Sequence, residues 1–162
     1  MMHHGKLARR HAGRRRSTDS RKGAAVVEFA IVAPLMFMLF FSMVEIGRAV
    51  MVAQLAVNAS REGCRQAAQT GSSTTDVSTF VKDYLQASGI ANGAVTVQIQ
   101  NQTVTNGAFG TTTNLSTVPT GMGVRVNISI NFADVTWLPD NFAYAIMPNN
   151  AKISGSTTMR KE

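Results

Sequence analysis

From Ala24 to Val44 the chain reads AAVVEFAIVAPLMFMLFFSMV, 21 residues with one ionisable group, Glu28. As an α-helix rising about 1.5 Å per residue, such a segment spans about 30 Å, the thickness of a hydrocarbon core. The helix of a soluble domain carries an apolar stripe and a polar face. Phe29 to Val44 is uncharged all round, so the pattern predicts a transmembrane helix. Lys6, Arg9, Arg10, Arg14, Arg15, Arg16, Arg21 and Lys22 precede it, with Asp19 the only acid among them. Because Lys and Arg are retained on the cytoplasmic side, the N-terminus is expected in the cytoplasm and everything from Glu45 onward outside it. Those basic groups account for the whole net charge of +7, which leaves residues 24–162 neutral. A neutral body has no electrostatic footprint for nucleic acid, and no such partner is expected.

A secretory signal peptide also joins a basic region to an apolar one, but it needs a short apolar stretch and a small-x-small cleavage site just beyond. This run is too long, and the nearest weak candidate, Val57-Asn58-Ala59, lies well past its end. Arg14-Arg15-Arg16 is followed by Ser-Thr-Asp, where a twin-arginine signal would have an apolar pair. The single cysteine, Cys64, forms no intrachain disulfide or thiolate metal site, and His3, His4 and His11 all lie in the basic tail. No metal or cofactor is expected.

Glu28 is the costly residue of the span, because an acid inside a membrane helix requires neutralisation or a partner. Cutting the chain after Gly23 would supply one: the new α-amino group of Ala24 would stand four residues before the carboxylate. Gly23 suits a protease that must approach the backbone closely, and Arg21-Lys22 hold the bond at the cytosolic face.

Arg21-Lys22-Gly23 followed by Ala24-Ala25-Val26-Val27-Glu28-Phe29-Ala30 resembles the prepilin leader junction of type IV pilin-like proteins, with Gly before the cut and Glu as the fifth mature residue. The longer stretch from Gly23 to Ala49 resembles more specifically the TadE-like pseudopilins of tight-adherence (Flp) pilus systems. The carriers are Val-Glu-Phe-Ala followed by Pro34, and the acid-x-Gly-Arg end at Glu45 to Arg48. Ser60 to Arg65 and Met159-Arg160-Lys161-Glu162 agree, whereas Cys64 stands where a small residue such as Ala is expected. The resemblance covers residues 21–69 and hardly touches the middle of the chain. It implies cleavage at Gly23-Ala24 by a prepilin peptidase and assembly roles for Glu28 and Phe29. Its implied partners are other pilins or pseudopilins and inner-membrane pilus assembly proteins. The implied location is the inner membrane, in a single pass, with incorporation in a surface pilus as a further option. The alternative is an uncleaved, signal-anchored envelope protein whose extracytoplasmic domain binds a ligand or partner.

No breaker separates the span from the next segment, so the helix is expected to continue to Gln69, where Thr70-Gly71-Ser72-Ser73 ends it. In this part Ala49, Ala53, Ala56, Ser60, Gly63 and Ala67 recur at spacings of three and four, with Val50, Val57 and Cys64 beside them. Such a stripe of small residues lets a second element approach closely, here the chain's own C-terminal domain in preference to another subunit. Gln54, Asn58, Arg61, Glu62, Arg65 and Gln69 fall on the opposite face.

Beyond the stripe the pattern changes. Val77, Phe80, Val81, Tyr84 and Leu85 have helical spacing, with Thr74 or Thr75 as cap and Gly89 as stop. Val95, Val97 and Ile99, then Val124, Val126, Ile128, Ile130 and Phe132, alternate with polar residues as half-buried strands do, and Ala151 to Met159 is a weaker strand. Thr105 to Gly123 connects them. The expected fold is α+β: a long transmembrane helix (24–44), its extracytoplasmic continuation (45–69), and a small domain (70–162) in which an antiparallel sheet and one short helix pack on it. With no His beyond residue 11, no motif spacing among Asp76, Asp83, Asp134 and Asp140, and no phosphate loop at Gly121-Met122-Gly123, an enzyme is not expected.

Overall fold

The computed structural model describes residues 19–103, 107–112, 114–138, 148 and 150–162, with side chains from Gly23 onward. Most of the basic N-terminal stretch, the three histidines, Pro139 and Asp140 lie outside these residues. The fold is α+β, in the order α1 (Asp19–Ala68), α2 (Thr74–Ala87), β1 (Val95–Gln102), β2 (Phe109–Thr111), β3 (Gly123–Asn131) and β4 (Lys152–Arg160). Two compact units divide the chain, Met1–Phe40 and Phe41–Glu162.

The described part of the first unit is helix alone. Pro34 sits inside α1, where it removes one helical hydrogen bond, a defect that membrane helices tolerate. The large apolar side chains from Val26 to Phe40 are exposed, none below 44%. A core helix of a soluble domain would bury such a surface. None of the most apolar window of α1 is buried, so this helix fits a single-pass membrane anchor.

The second unit is a two-layer domain. Its sheet has the order β2-β1-β3-β4 with every neighbour antiparallel. Val97, Ile128 and Gly155 align across the three longest strands, which fixes the pleat of the whole sheet. On one face Val95, Ile99, Val124, Val126, Ile128 and Ile130 are buried, while Thr96 and Gln98 of β1 and Ser154, Ser156 and Thr158 of β4 are exposed. The apolar face is covered by the C-terminal half of α1 and by α2, which contributes Val77, Val81 and Leu85. Thus the alternation of period two and the helical spacing meet in one core.

Gly155 sets the distance between the layers. A Cβ on it would stand 2.6 Å from the backbone of Ala56 and Val57, so β4 has a glycine where α1 crosses it. Gly63 gives a second close approach, where a Cβ would meet Val81 at 2.6 Å and Val126 at 3.4 Å. The end of α1 is closed by the C-terminal segment. The Glu162 amide donates to the Ala68 carbonyl at 3.0 Å, and the Thr70 hydroxyl donates to the Glu162 carbonyl at 3.2 Å. Buried Lys161 donates from Nζ to the carbonyls of Leu115 and Val118, which ties the β2–β3 connection to the end of β4.

Some local boundaries differ from the sequence expectation. The cap of α2 is Ser73, whose Oγ accepts from the Asp76 amide at 3.1 Å; Thr74 and Thr75 already belong to the helix. The polar connection between the main strands contains β2 and a short 3-10 turn, Leu115–Thr117, whose Leu115 is fully buried. Phe132 lies past β3, starting a 3-10 turn with its side chain in the interior.

Candidate assembly and membrane-proximal sites

Gly23, Ala24, Glu28 and Phe29 all lie on the helical N-terminal part of α1 and are exposed. One helical turn separates Ala24 from Glu28, and among the described residues Glu28 has no ion partner. A Cβ at Gly23 would meet nothing within 4 Å, so a side chain there is no burden on the fold. The Gly23-Ala24 bond is itself helical, and a protease that reads an extended strand must first open this turn.

The small-residue stripe divides by depth. Ala56, Ser60, Gly63 and Ala67 are buried against the sheet and α2, whereas Ala49 and Ala53 are only half-buried. Val52 and Ala59 are buried as well, although neither falls in the stripe as spaced in the sequence. Val50, expected beside the stripe, is 52% exposed. It lines an open groove with Ala53, Gln54, Val57, Asn58 and Arg61, because at this level Val52 is the residue that turns toward the domain core. Ser60 shows why a polar residue is tolerated within the stripe: its Oγ bonds the Val57 carbonyl and the Thr157 hydroxyl, both at 2.8 Å.

Cys64 is fully buried where α1 crosses β3 and β4. Its Sγ donates to the Thr157 carbonyl at 2.8 Å and accepts from the Val126 amide at 3.3 Å. Burial pushes the thiol pKa up, against the smaller opposing effects of backbone hydrogen bonds and the Arg125 charge. A pKa raised by folding gives a stability contribution present below the unfolded value, about 8.5, and lost as pH rises through the folded value. Stability is therefore expected to fall above about pH 8.5 in the parent and less steeply in Cys64→Ala, as read from denaturation midpoints across that range. Identical slopes in the two proteins would contradict this. The native thiol is also expected to resist maleimide until the domain is unfolded.

A second constellation sits just after the apolar run. Glu45 is 2% exposed, and its Oε1 accepts from the Thr136 hydroxyl and the Trp137 amide at 2.8 Å each and from the Leu138 amide at 3.2 Å. Arg48, one turn further along α1, donates from Nε to the Val135 carbonyl and holds its guanidinium over the Trp137 ring, 5.0 Å from the centroid. These two residues pin the segment Val135–Leu138, which follows the turn after β3, onto α1. Three hydrogen bonds converge on one buried carboxylate oxygen, so the attachment is specific in position. Glu45 and Arg48 are the ends of the acid-x-Gly-Arg sequence, but nothing local in it reveals that their partners lie some ninety residues away.

In comparison with known families, residues 23–65 match the TadE-like protein family. The likeness to TadE-like proteins is confined to those residues, the apolar helix and its continuation. No curated protein and no solved structure is significantly similar to the chain. The matched segment begins at Gly23 and takes in Glu28, Glu45, Arg48 and the stripe as far as Gly63.

Proposed function

We propose that the chain is a minor pilin or pseudopilin, made as an inner-membrane precursor, cut after Gly23 on the cytoplasmic side, and used to build a tight-adherence pilus or the related secretion machine. The observation that carries this reading is the juxtaposition of Gly23, Ala24 and Glu28 at the head of an exposed apolar helix, within the segment that matches the TadE-like family. Its role is structural. The membrane holds the subunit by residues 24–44, the small domain stands outside the cytoplasm, and Glu28 seeks a cation that the described residues do not provide. Prepilin peptidase, other pilins or pseudopilins and inner-membrane assembly proteins are the partners this requires.

Gly23→Val tests the processing step without disturbing the fold, since a Cβ at this position meets nothing. A branched side chain at the scissile bond should block the peptidase. Mass spectrometry of the membrane fraction is expected to show a full-length variant beside a parent lacking residues 1–23. A parent that stays full length in cells with an active peptidase would contradict the reading and favour the uncleaved, signal-anchored alternative.

A further inference from the structure

We propose that Trp137 is an interfacial anchor, which seats the extracytoplasmic domain on the headgroup layer of the bilayer crossed by α1; the inference rests on the membrane topology proposed above. Trp137 is the only tryptophan of the chain, and 75% of its surface is exposed. An aromatic residue so exposed on a segment so firmly attached requires an explanation, and its position supplies one. Its amide is bonded to Glu45, the first residue after the apolar run, and its ring lies over Arg48. At about 1.5 Å per residue, the positions of Glu45 to Arg48 are about 1.5–6 Å beyond Val44 along the helix axis. The polar layer on each side of a bilayer is about 5–7 Å thick, so the helix positions that hold Trp137 fall within it.

Chemistry agrees with depth. Tryptophan is enriched at the membrane–water interface because its ring is apolar and its indole N–H needs a polar partner. The Arg48 guanidinium beside it complements lipid phosphate, and its aliphatic stem can lie along apolar surface. The neighbouring side chains of α1 in the same compact unit, Phe41, Met43, Val44 and Ile46, are all exposed and apolar, and would continue the buried surface into the hydrocarbon. Glu45 thus acts as the tether that sets the height of the anchor, through the bonds to Thr136, Trp137 and Leu138.

A single tryptophan makes the test direct. The full chain is reconstituted in phosphatidylethanolamine–phosphatidylglycerol vesicles whose acyl chains carry bromine either near the headgroup or near the terminal methyl. Trp137 emission is expected to be quenched more by the shallow bromines than by the deep ones, and Glu45→Ala is expected to lose that preference. A control with Trp137→Phe and Phe37→Trp places the only fluorophore within the span, where deep bromines should quench it. Deep quenching in the control with no quenching of Trp137 would overturn the anchor and leave the membrane topology standing. Shielding of Trp137 only when other pilus subunits are added would assign the surface to a protein partner and equally overturn it. A control quenched by neither lipid would remove the membrane reading and the anchor together.

Discussion

Glu28→Ala subunits should be inserted and cut normally, yet fail to assemble. Removing the carboxylate makes the span more apolar, so insertion has no reason to suffer, and the bond at Gly23-Ala24 lies a full helical turn away. What is lost is the only acid of the span. Within the described residues Glu28 has no ion partner, and the positive group that the proposed cleavage would create is the amine of Ala24. A Glu one turn from its own N-terminus can reach it, but the interaction gives a register between subunits only if it is made between chains. Complementation of a deletion strain with Glu28→Ala, scored for cleavage by mobility shift and for piliation by microscopy, separates the two roles. Cleaved subunits without pili are expected. Normal pili would show that the acid does not guide assembly, and loss of cleavage would assign it to processing.

Gly155→Ala should be the most damaging small change in the two-layer domain. The added methyl would meet the Ala56 and Val57 backbone at 2.6 Å, and a helix backbone gives way less easily than the end of a side chain. Overpacking a core ordinarily costs about 1–3 kcal/mol, and here the layer spacing itself must open. Gly110→Ala on β2 is the control, because a Cβ there meets nothing within 4 Å and exposed changes usually stay within about 0.5 kcal/mol. Denaturation of the detergent-solubilised chain, followed by resistance of the domain to protease, is expected to separate the two variants clearly. Equal midpoints would mean that α1 does not rest on β4 as described.

The sequence exposes those parts of this molecule that repeat a short period. Val124 to Ile130 alternate without interruption, and Val77 to Leu85 follow the turn of a helix, so β3 and α2 could be placed from pattern alone. Gly155 could not, because a glycine between serines reads as a weak point of a strand until the helix that lies over it is known. Val52 and Ala59 escaped the stripe for a related reason. A contact surface on a helix is wider than one row of small residues, and its edges depend on where the partner sheet ends. β2 is only three residues long within a Thr/Asn/Gly stretch, and Phe109 alone gives no alternation to read. At the candidate sites, the expectation for Gly23, Ala24 and Glu28 rests on local chemistry, and the structure adds that all three lie exposed on one helix. Glu45 and Arg48 are legible as charged residues just past the span, but their grip on Val135–Leu138 is a long-range fact that only the fold supplies.

N-terminal sequencing of the protein recovered from membranes of cells with and without prepilin peptidase addresses the central claim most directly. With the peptidase the first residues should read Ala-Ala-Val-Val-Glu, starting at Ala24, and without it the basic leader should remain attached. A protein that keeps the leader in both strains, or begins at a residue other than Ala24 in the first, would contradict the account.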